Sequence, residues 1–452
     1  MARVTTQYVC QVCGATSPRW LGRCIACRAW DSLVEEARKA GKGSGMSSST
    51  RRPGAASPIS EVPADREERL PTGIGELDRV LGGGAVLGGA TLLGGDPGVG
   101  KSTLLMQALS GIASTGARAL YVSGEESAGQ TASRARRLGA VQDTLFVLAE
   151  SDLDAVLSAI AEVKPAAIVL DSVQTVRSPS LESAAGTVSQ LREIAFRLVE
   201  LCKAKNIAAF LVGHVTKDGT LAGPKVLEHL VDTVLAFEGE RGQAFRSLRA
   251  QKNRFGSATE VGVFEMTQDG MREVKNPSAL FLAERPKGAS GSAICATCEG
   301  SRPMLVEVQA LVSPFVHGAP RRTANGVEPS RLAMILAVLE RKAGFALGGC
   351  DVFVNVAGGV RVDEPAMDLA VALALASSLR DRPVPPDLVA FGEVGLAGEV
   401  RSVSRASARL GEAESMGFSR AVVPLAHAPA RRASGMDVAG VKTVEEALTV
   451  LD

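Results

Sequence analysis

The segment GDPGVGKS, Gly95 to Ser102, constrains the fold more than any other stretch of the chain. It matches G-x-x-x-x-G-K-[ST] with the right context on both sides. The apolar run Thr91 to Leu93 precedes it, and Leu104, Leu105, Ala108, Leu109 and Ile112 follow at helical spacing. A strand feeding a glycine-rich turn and then a helix is a phosphate cradle: backbone amides curl around phosphate oxygens, the helix start adds partial positive charge, and Lys101 reaches the outer phosphates. ATP is the expected ligand, contacted by Gly95, Asp96, Pro97, Gly98, Val99, Gly100, Lys101, Ser102 and Thr103, with magnesium on the Ser102 hydroxyl.

Such a loop needs a parallel sheet, and the chain supplies one. Short apolar runs at Ala119 to Val122, Leu145 to Leu148, Ala167 to Asp171 and Ala208 to Val212 alternate with helical patterns. In one of these, Val188, Leu191, Ile194, Ala195, Leu198, Val199 and Cys202 form a single stripe. The class is α/β with a parallel central sheet. After Phe237 the runs FRSLRAQKN and EVGVFEM alternate, which predicts antiparallel strands added at the sheet edge.

At 452 residues the chain exceeds one hydrophobic core. Composition and pattern divide it into a cysteine-rich element over 1–36, a small, polar and basic stretch over 37–62 that reads as a flexible linker, an ATPase domain over 63–280, and a second α/β domain over 281–452. The last contains helical stretches at Pro329 to Lys342 and Ala366 to Leu379, with the strand VFVNVA between them.

Asp171 closes its apolar run where a magnesium-binding carboxylate is expected, acting through water. Hydrolysis needs a carboxylate to orient or deprotonate the attacking water; Glu125 and Glu126 follow the second strand, and Glu125 is the preferred choice. His214 ends the fifth strand, either as a γ-phosphate sensor or as a structural histidine. The loops Gln174 to Gly186 and Thr216 to Lys225 carry Arg177, Lys217 and Lys225, which suit a DNA phosphate backbone or plain solvated surface. Lys plus Arg number 50 against 49 for Asp plus Glu, so any polyanion must bind a local patch. The N-terminus lacks the apolar region of a signal peptide, and no apolar run is long enough to span a bilayer, so the expectation is a cytoplasmic protein without a membrane partner.

Cys10, Cys13, Cys24 and Cys27 form two Cys-x-x-Cys knuckles ten residues apart, a spacing that suits a tetrahedral zinc ion held by four thiolates. A segment this short cannot bury enough apolar surface to fold alone, so the metal would dominate its stability. Trp20 and Trp30 lie here with Arg19, Arg23 and Arg28, a set equally suited to DNA or protein contact. Cys295 and Cys298 have no further ligands nearby in sequence and read as a non-metal pair.

Four motifs sharpen this reading: PTGIGELDRVLGGG at Pro71 to Gly84, GDPGVGKST, YVSGEES, and QKNRFG at Gln251 to Gly256. With the four-cysteine element they make the chain resemble the RadA (Sms) family of bacterial DNA repair proteins over essentially its whole length. The resemblance implies a RecA-like ATPase core in a homo-hexameric ring that translocates on single-stranded DNA, promotes branch migration of recombination intermediates and other branched DNA, and works with a recombinase partner. It further implies that Lys252 and Arg254 enter the neighbouring subunit's ATP site, and it supports Glu125 as the catalytic carboxylate.

The C-terminal domain looks like a Lon-type protease domain, with departures. Where that protease carries its nucleophilic serine, this chain reads Asp363, Glu364, Pro365, Ala366, Met367, Asp368, and the position of the general-base lysine falls on Ser407. Both members of the Ser-Lys dyad are missing, so no peptidase activity is expected. Ring assembly and DNA contact are the implied roles, with Arg321, Arg322 and Arg331 as candidates. A Lon-like peptidase with its nucleophile elsewhere, and an ATP-switched scaffold without motor activity, are the alternatives.

Overall fold

The computed structural model describes residues 4–11, 14–39, 67–213, 225–239, 245–286, 288–314, 320–359, 362, 364–428 and 435–452. The linker expected over 37–62 falls mostly outside them. The chain divides into two compact units, Met1–Glu273 and Val274–Asp452. The division precedes the boundary read at 280, because the helix Pro277–Leu282 packs on a strand of the second unit.

At the start of the first unit, β1 (Val4–Cys10) pairs antiparallel with both β2 (Thr16–Ser17) and β3 (Leu33–Lys39), a ribbon whose small core is Cys10, Cys24 and Leu33. Beyond the linker, β4 (Arg69–Leu70) and β5 (Ala85–Val86) pair around α1 (Gly75–Leu81). The strands β6 (Ala90–Gly95), β7 (Ala119–Ser123), β8 (Leu145–Ala149), β9 (Ala167–Asp171), β10 (Ala208–Val212), β11 (Thr233–Glu238), β12 (Phe245–Asn253), β13 (Val261–Thr267) and β14 (Gly270–Glu273) build the main sheet. Its order among the described residues is β14-β13-β12-β11-β6-β10-β9-β7-β8. The stretch from β11 to β8 is parallel, and β12 to β14 extend it antiparallel, as the change of pattern after Phe237 predicts.

Alternation along the strands sorts the core into two layers. Leu93, Tyr121, Val169 and Phe210 pack on α2 (Lys101–Ser114). Leu92, Leu120, Val122, Ile168, Leu170 and Leu211 point the other way, onto α4 (Leu153–Val163) and α5 (Val188–Lys205); α3 (Ala128–Arg137) lies between α2 and α4 in sequence, and α6 (Lys225–Glu228) precedes β11. The central strands β6, β9 and β10 are buried on both faces, so the P-loop is set on a rigid floor.

In the second unit α7 is the helix Pro277–Leu282, and the sheet consists of β15 (Ser292–Glu299), β16 (Arg302–Pro314), β17 (Arg322–Asn325), β18 (Cys350–Val356), β19 (Leu388–Ala390), β22 (Arg420–Pro424) and β23 (Asp437–Val441), ordered β17-β18-β16-β15-β19-β22-β23 among the described residues. β20 (Glu393–Val394) and β21 (Val400–Arg401) make a separate pair. Its helices include α8 (Pro329–Lys342), α9 (Asp368–Arg380) and α10 (Ala406–Ser415). α9 is buried from Asp368 to Ser377, which is why its sequence is apolar all round. Cys295 and Cys298 stand three residues apart on β15, so they point to opposite faces and cannot chelate together. Burial pushes both thiols up.

In this unit Arg409 on α10 is fully buried and forms a bidentate ion pair with Glu364. It also donates to the carbonyls of Ala296 (2.7 Å) and Ser404 (2.9 Å). Glu364 in turn accepts from the Thr297 hydroxyl at 3.0 Å and the Cys298 amide at 2.8 Å. Arg409→Ala strands this carboxylate without its cation and is expected to destabilise the second unit by about 3–5 kcal/mol, read as a lowered urea midpoint of the full chain. Among the described residues, no helix is long and apolar enough to cross a membrane.

Candidate functional site

The phosphate loop begins where β6 ends. Gly95 takes φ +156°, and a Cβ there would lie 2.4 Å from the Phe237 carbonyl oxygen of β11, so only glycine lets the loop leave the sheet this tightly. Asp96, Pro97 and Gly98 are exposed at the tip, Val99 anchors into the core, and Gly100 caps α2 at φ +112°. Lys101, only 4% exposed, donates its ammonium to the carbonyls of Gly95 (2.7 Å) and Asp96 (3.0 Å). Burial lowers its pKa, and the nearby carboxylates of Asp171, Asp96 and Glu125 oppose that shift. Ser102 and Thr103 follow on the first turn of the helix.

Asp171 stands at the end of β9, two strands from the loop, and is buried. Its Oδ2 accepts from the phenol of Tyr121 on β7, and the Ser102 hydroxyl hydrogen-bonds the same phenol. The tyrosine is therefore a polar bridge between the P-loop serine and the strand-end aspartate. Burial and Asp171 together push its pKa up, so it remains a neutral donor. In sequence Tyr121 shows only as a strand residue. The available signal was its chemistry: a tyrosine in the middle of a buried strand must end its hydroxyl on a polar partner.

The two glutamates separate cleanly. Glu125 Oε1 accepts from the hydroxyl of Ser172 at 2.7 Å, beside Asp171, and is close enough to act on the Lys101 charge. Glu126 forms an ion pair with Arg134 on α3. Gly124 makes the turn possible, since a Cβ there would meet Thr175 Oγ1 at 2.2 Å. The peptide bond between Asp171 and Ser172 is cis. Ser172 and Arg134 were not picked out by sequence.

Directly after β9 the chain enters the loop expected to face DNA. Arg177 is exposed there, its backbone pinned by bonds to Ser151 and Leu153. The loop is gathered by Gln190 of α5, 1% exposed. Its amide receives the Ser178 N–H at 2.7 Å and donates to the carbonyls of Ser178, Leu181 and Ser183. Gln190 sits beside Leu191 on the helical stripe, and nothing in sequence marks it as the organiser of a loop ten residues earlier. His214, Lys217 and the side chain of Lys225 lie outside the described residues.

Lys252 and Arg254 are far from this pocket. β12 runs antiparallel to β11 with Val234 opposite Lys252, and β11 runs parallel to β6 with Thr233 opposite Thr91. Both cations thus stand at the start of β6, about 13 Å along the strands from the P-loop at its end. Lys252 donates to the carbonyls of Glu228 (2.6 Å) and Val231 (2.7 Å), and burial followed by the Arg254 charge lowers its pKa. The Arg254 guanidinium, 60% exposed, is 3.5 Å from Asp232, whose other oxygen accepts the Ala90 amide at 3.1 Å.

In the second unit Arg321 and Arg322 are exposed at the edge strand β17, with Arg322 donating to the Leu347 carbonyl at 3.0 Å. Arg331 is not a free contact residue: it forms a bidentate ion pair with Asp368, which is 2% exposed and also accepts the Val394 amide. Burial raises the Asp368 pKa against the pull of Arg331. Ala366, at the nucleophile position, is wholly buried, and Ser407 is exposed.

In the ribbon, the sulfurs of Cys10, Cys24 and Cys27 all lie within 4.8 Å of one another, with Cys10 and Cys27 at 3.6 Å. Tetrahedral zinc with Zn–S bonds near 2.3 Å sets its sulfurs about 3.8 Å apart, so the thiols fit that ion. Two equivalent turns present them: the Gly14 and Arg28 amides donate to the Cys10 and Cys24 carbonyls, and the Cys10 and Cys24 amides to those of Ala15 and Ala29. Cys13 lies outside the described residues. For magnesium, the hydroxyl of Ser102 and the carboxylate of Asp171 are the hard oxygen donors such an ion takes.

Three stretches of the chain match known protein families. Residues 8–35 match a family described as a rubredoxin metal binding domain, 56–220 an AAA domain, and 319–427 subunit ChlI of Mg-chelatase. DNA repair protein RadA of Bacillus subtilis (strain 168) is 49% identical over 99% of both chains. DNA repair protein RadA of Pseudomonas aeruginosa is 50% identical, and that of Aquifex aeolicus (strain VF5) 48% identical, over 100% of both chains in each case. With a zinc ribbon, an AAA ATPase domain and a ChlI- or Lon-like domain in series, and with such identity sustained end to end, the chain belongs to the RadA family of DNA repair proteins.

Proposed function

We propose that the protein is an ATP-driven motor that translocates on single-stranded DNA and promotes branch migration of recombination intermediates, as a hexameric ring working with a recombinase. The observation that carries this reading is continuity at the end of β9. Asp171, Ser172 with its bond to Glu125, and the loop from Gln174 to Gly186 are consecutive in the chain. A change in the phosphates held by Lys101 and Ser102 is thereby transmitted to the loop that carries Arg177 with no intervening element.

In this reading Glu125 orients and deprotonates the attacking water, and Lys101 and the P-loop amides hold the transferred phosphoryl group. Tyr121 fixes the Asp171 carboxylate toward magnesium, and a bound ion would neutralise charge on the departing phosphate. Lys252 and Arg254 complete the neighbouring subunit's site, since their position at the far end of the strands from their own P-loop suits delivery in trans. Arg177, Lys217, Lys225, Arg321 and Arg322 are the DNA contacts. The second unit has no peptidase role: Ala366 cannot act as a nucleophile, and the buried cation nearby, Arg409, is consumed by Glu364.

The test is a pair of isosteric changes. Glu125→Gln should lower DNA-stimulated ATP turnover by about 10²- to 10⁴-fold while ATP and single-stranded DNA still bind. Glu126→Gln, which loosens an ion pair to Arg134, should retain most of the turnover. Equal loss in both variants, or turnover that DNA does not stimulate in the parent protein, contradicts the proposal.

A further inference from the structure

We propose that the ribbon carries its own contact for single-stranded DNA, a stacking platform made by Trp20 and Trp30. It rests on the reading of the protein as a single-strand motor and adds a site to it. The two indoles are 55% and 71% exposed, which is unusual for the largest apolar side chains of a small element. They are also close together: a Cβ built on Gly22 would lie 3.7 Å from Trp20 Cη2 and 3.8 Å from Trp30 Cζ3, so both rings border one hollow floored by glycine.

The Trp30 ring is held before any ligand arrives. Arg23 and Trp30 form a backbone bridge, the Asp31 amide donates to Gly22, and the Arg23 guanidinium lies 5.5 Å from the Trp30 ring centroid while its Nε donates to the Arg28 carbonyl at 2.8 Å. From Gly14 to Trp30 the chain has three arginines, Arg19, Arg23 and Arg28, and no carboxylate; Asp31 follows immediately. Flat aromatic faces beside cations are what an unstacked base and its phosphate require, and a duplex, whose bases are already stacked, cannot use them. Zinc on the two knuckles would make the surface rigid, so that little ordering entropy opposes binding.

Trp20 and Trp30 are the only tryptophans in the chain, so intrinsic tryptophan emission reports this platform alone. Full-length, zinc-loaded protein is titrated without nucleotide with oligothymidylate, once unlabelled to follow emission and once end-labelled to follow anisotropy. The expected result is quenching that tracks the anisotropy curve, an affinity about tenfold weaker in Trp30→Leu, and near-parental affinity in Trp30→Phe, which keeps an aromatic face. If anisotropy reports binding while emission is unchanged and Trp30→Leu binds like the parent, the platform is overturned while the single-strand reading survives, and the aromatic face belongs to a protein partner. Absence of any anisotropy change overturns both.

Discussion

Lys101→Ala is expected to abolish ATP hydrolysis, by at least about 10²-fold in turnover, and with it the proposed DNA remodelling. The size follows from where the lysine sits. It is the buried cation at the mouth of α2, its ammonium held over the loop by the Gly95 and Asp96 carbonyls, and it is surrounded by the carboxylates of Asp96, Glu125 and Asp171. Removing it leaves those carboxylates facing the polyanionic triphosphate with one less compensating charge, in a pocket where low dielectric magnifies each term. The fold should survive, because the sheet and α2 are secured by their own apolar layers. Steady-state phosphate release and fork unwinding, with circular dichroism as the control for folding, check the outcome. Unwinding that persists in this variant would disconnect the motor from its P-loop.

Arg254→Ala gives the second large effect, a loss of about 10³-fold or more if the guanidinium acts on the neighbour's phosphates as an arginine finger. The more telling experiment mixes two inactive proteins. In a head-to-tail assembly each interface takes its P-loop from one subunit and its cations from the next, so random mixing of Lys101→Ala with Arg254→Ala leaves about a quarter of interfaces with both halves intact. ATP turnover should reappear on mixing, although neither protein has any alone. If the cations merely stabilise their own chain through Asp232 and the carbonyls of Glu228 and Val231, mixing restores nothing.

Much of this was legible in the residues because it rests on local pattern. The P-loop, the parallel strands and the antiparallel extension after Phe237 each follow from periodicity and glycine placement within a short window, and the sheet reproduces them. The preference for Glu125 over Glu126 is a finer matter: it depends on Ser172 and Arg134, which reach the two carboxylates from β9 and α3. Long-range polar pairing is what pattern cannot see. Tyr121 meets Asp171 across fifty residues, and Arg331 meets Asp368 across thirty-seven. In sequence Arg331 offers itself for ring assembly or DNA contact, since nothing near it shows the buried carboxylate of Asp368 that pairs with it. Gln190 was invisible for a related reason, its partners being carbonyls, which every residue has.

If the protein works as proposed, a complete ATP site exists only between subunits of a ring threaded by DNA. Electron microscopy of the full-length protein with a non-hydrolysable ATP analogue and single-stranded DNA tests it most directly. The expected result is a closed ring with DNA in its channel against the loop from Gln174 to Gly186, and Lys252 and Arg254 of each subunit turned away from Asp232 toward the phosphates on the adjacent P-loop. Monomers, or a ring in which those two side chains face solvent while the nucleotide contacts one chain alone, would contradict it.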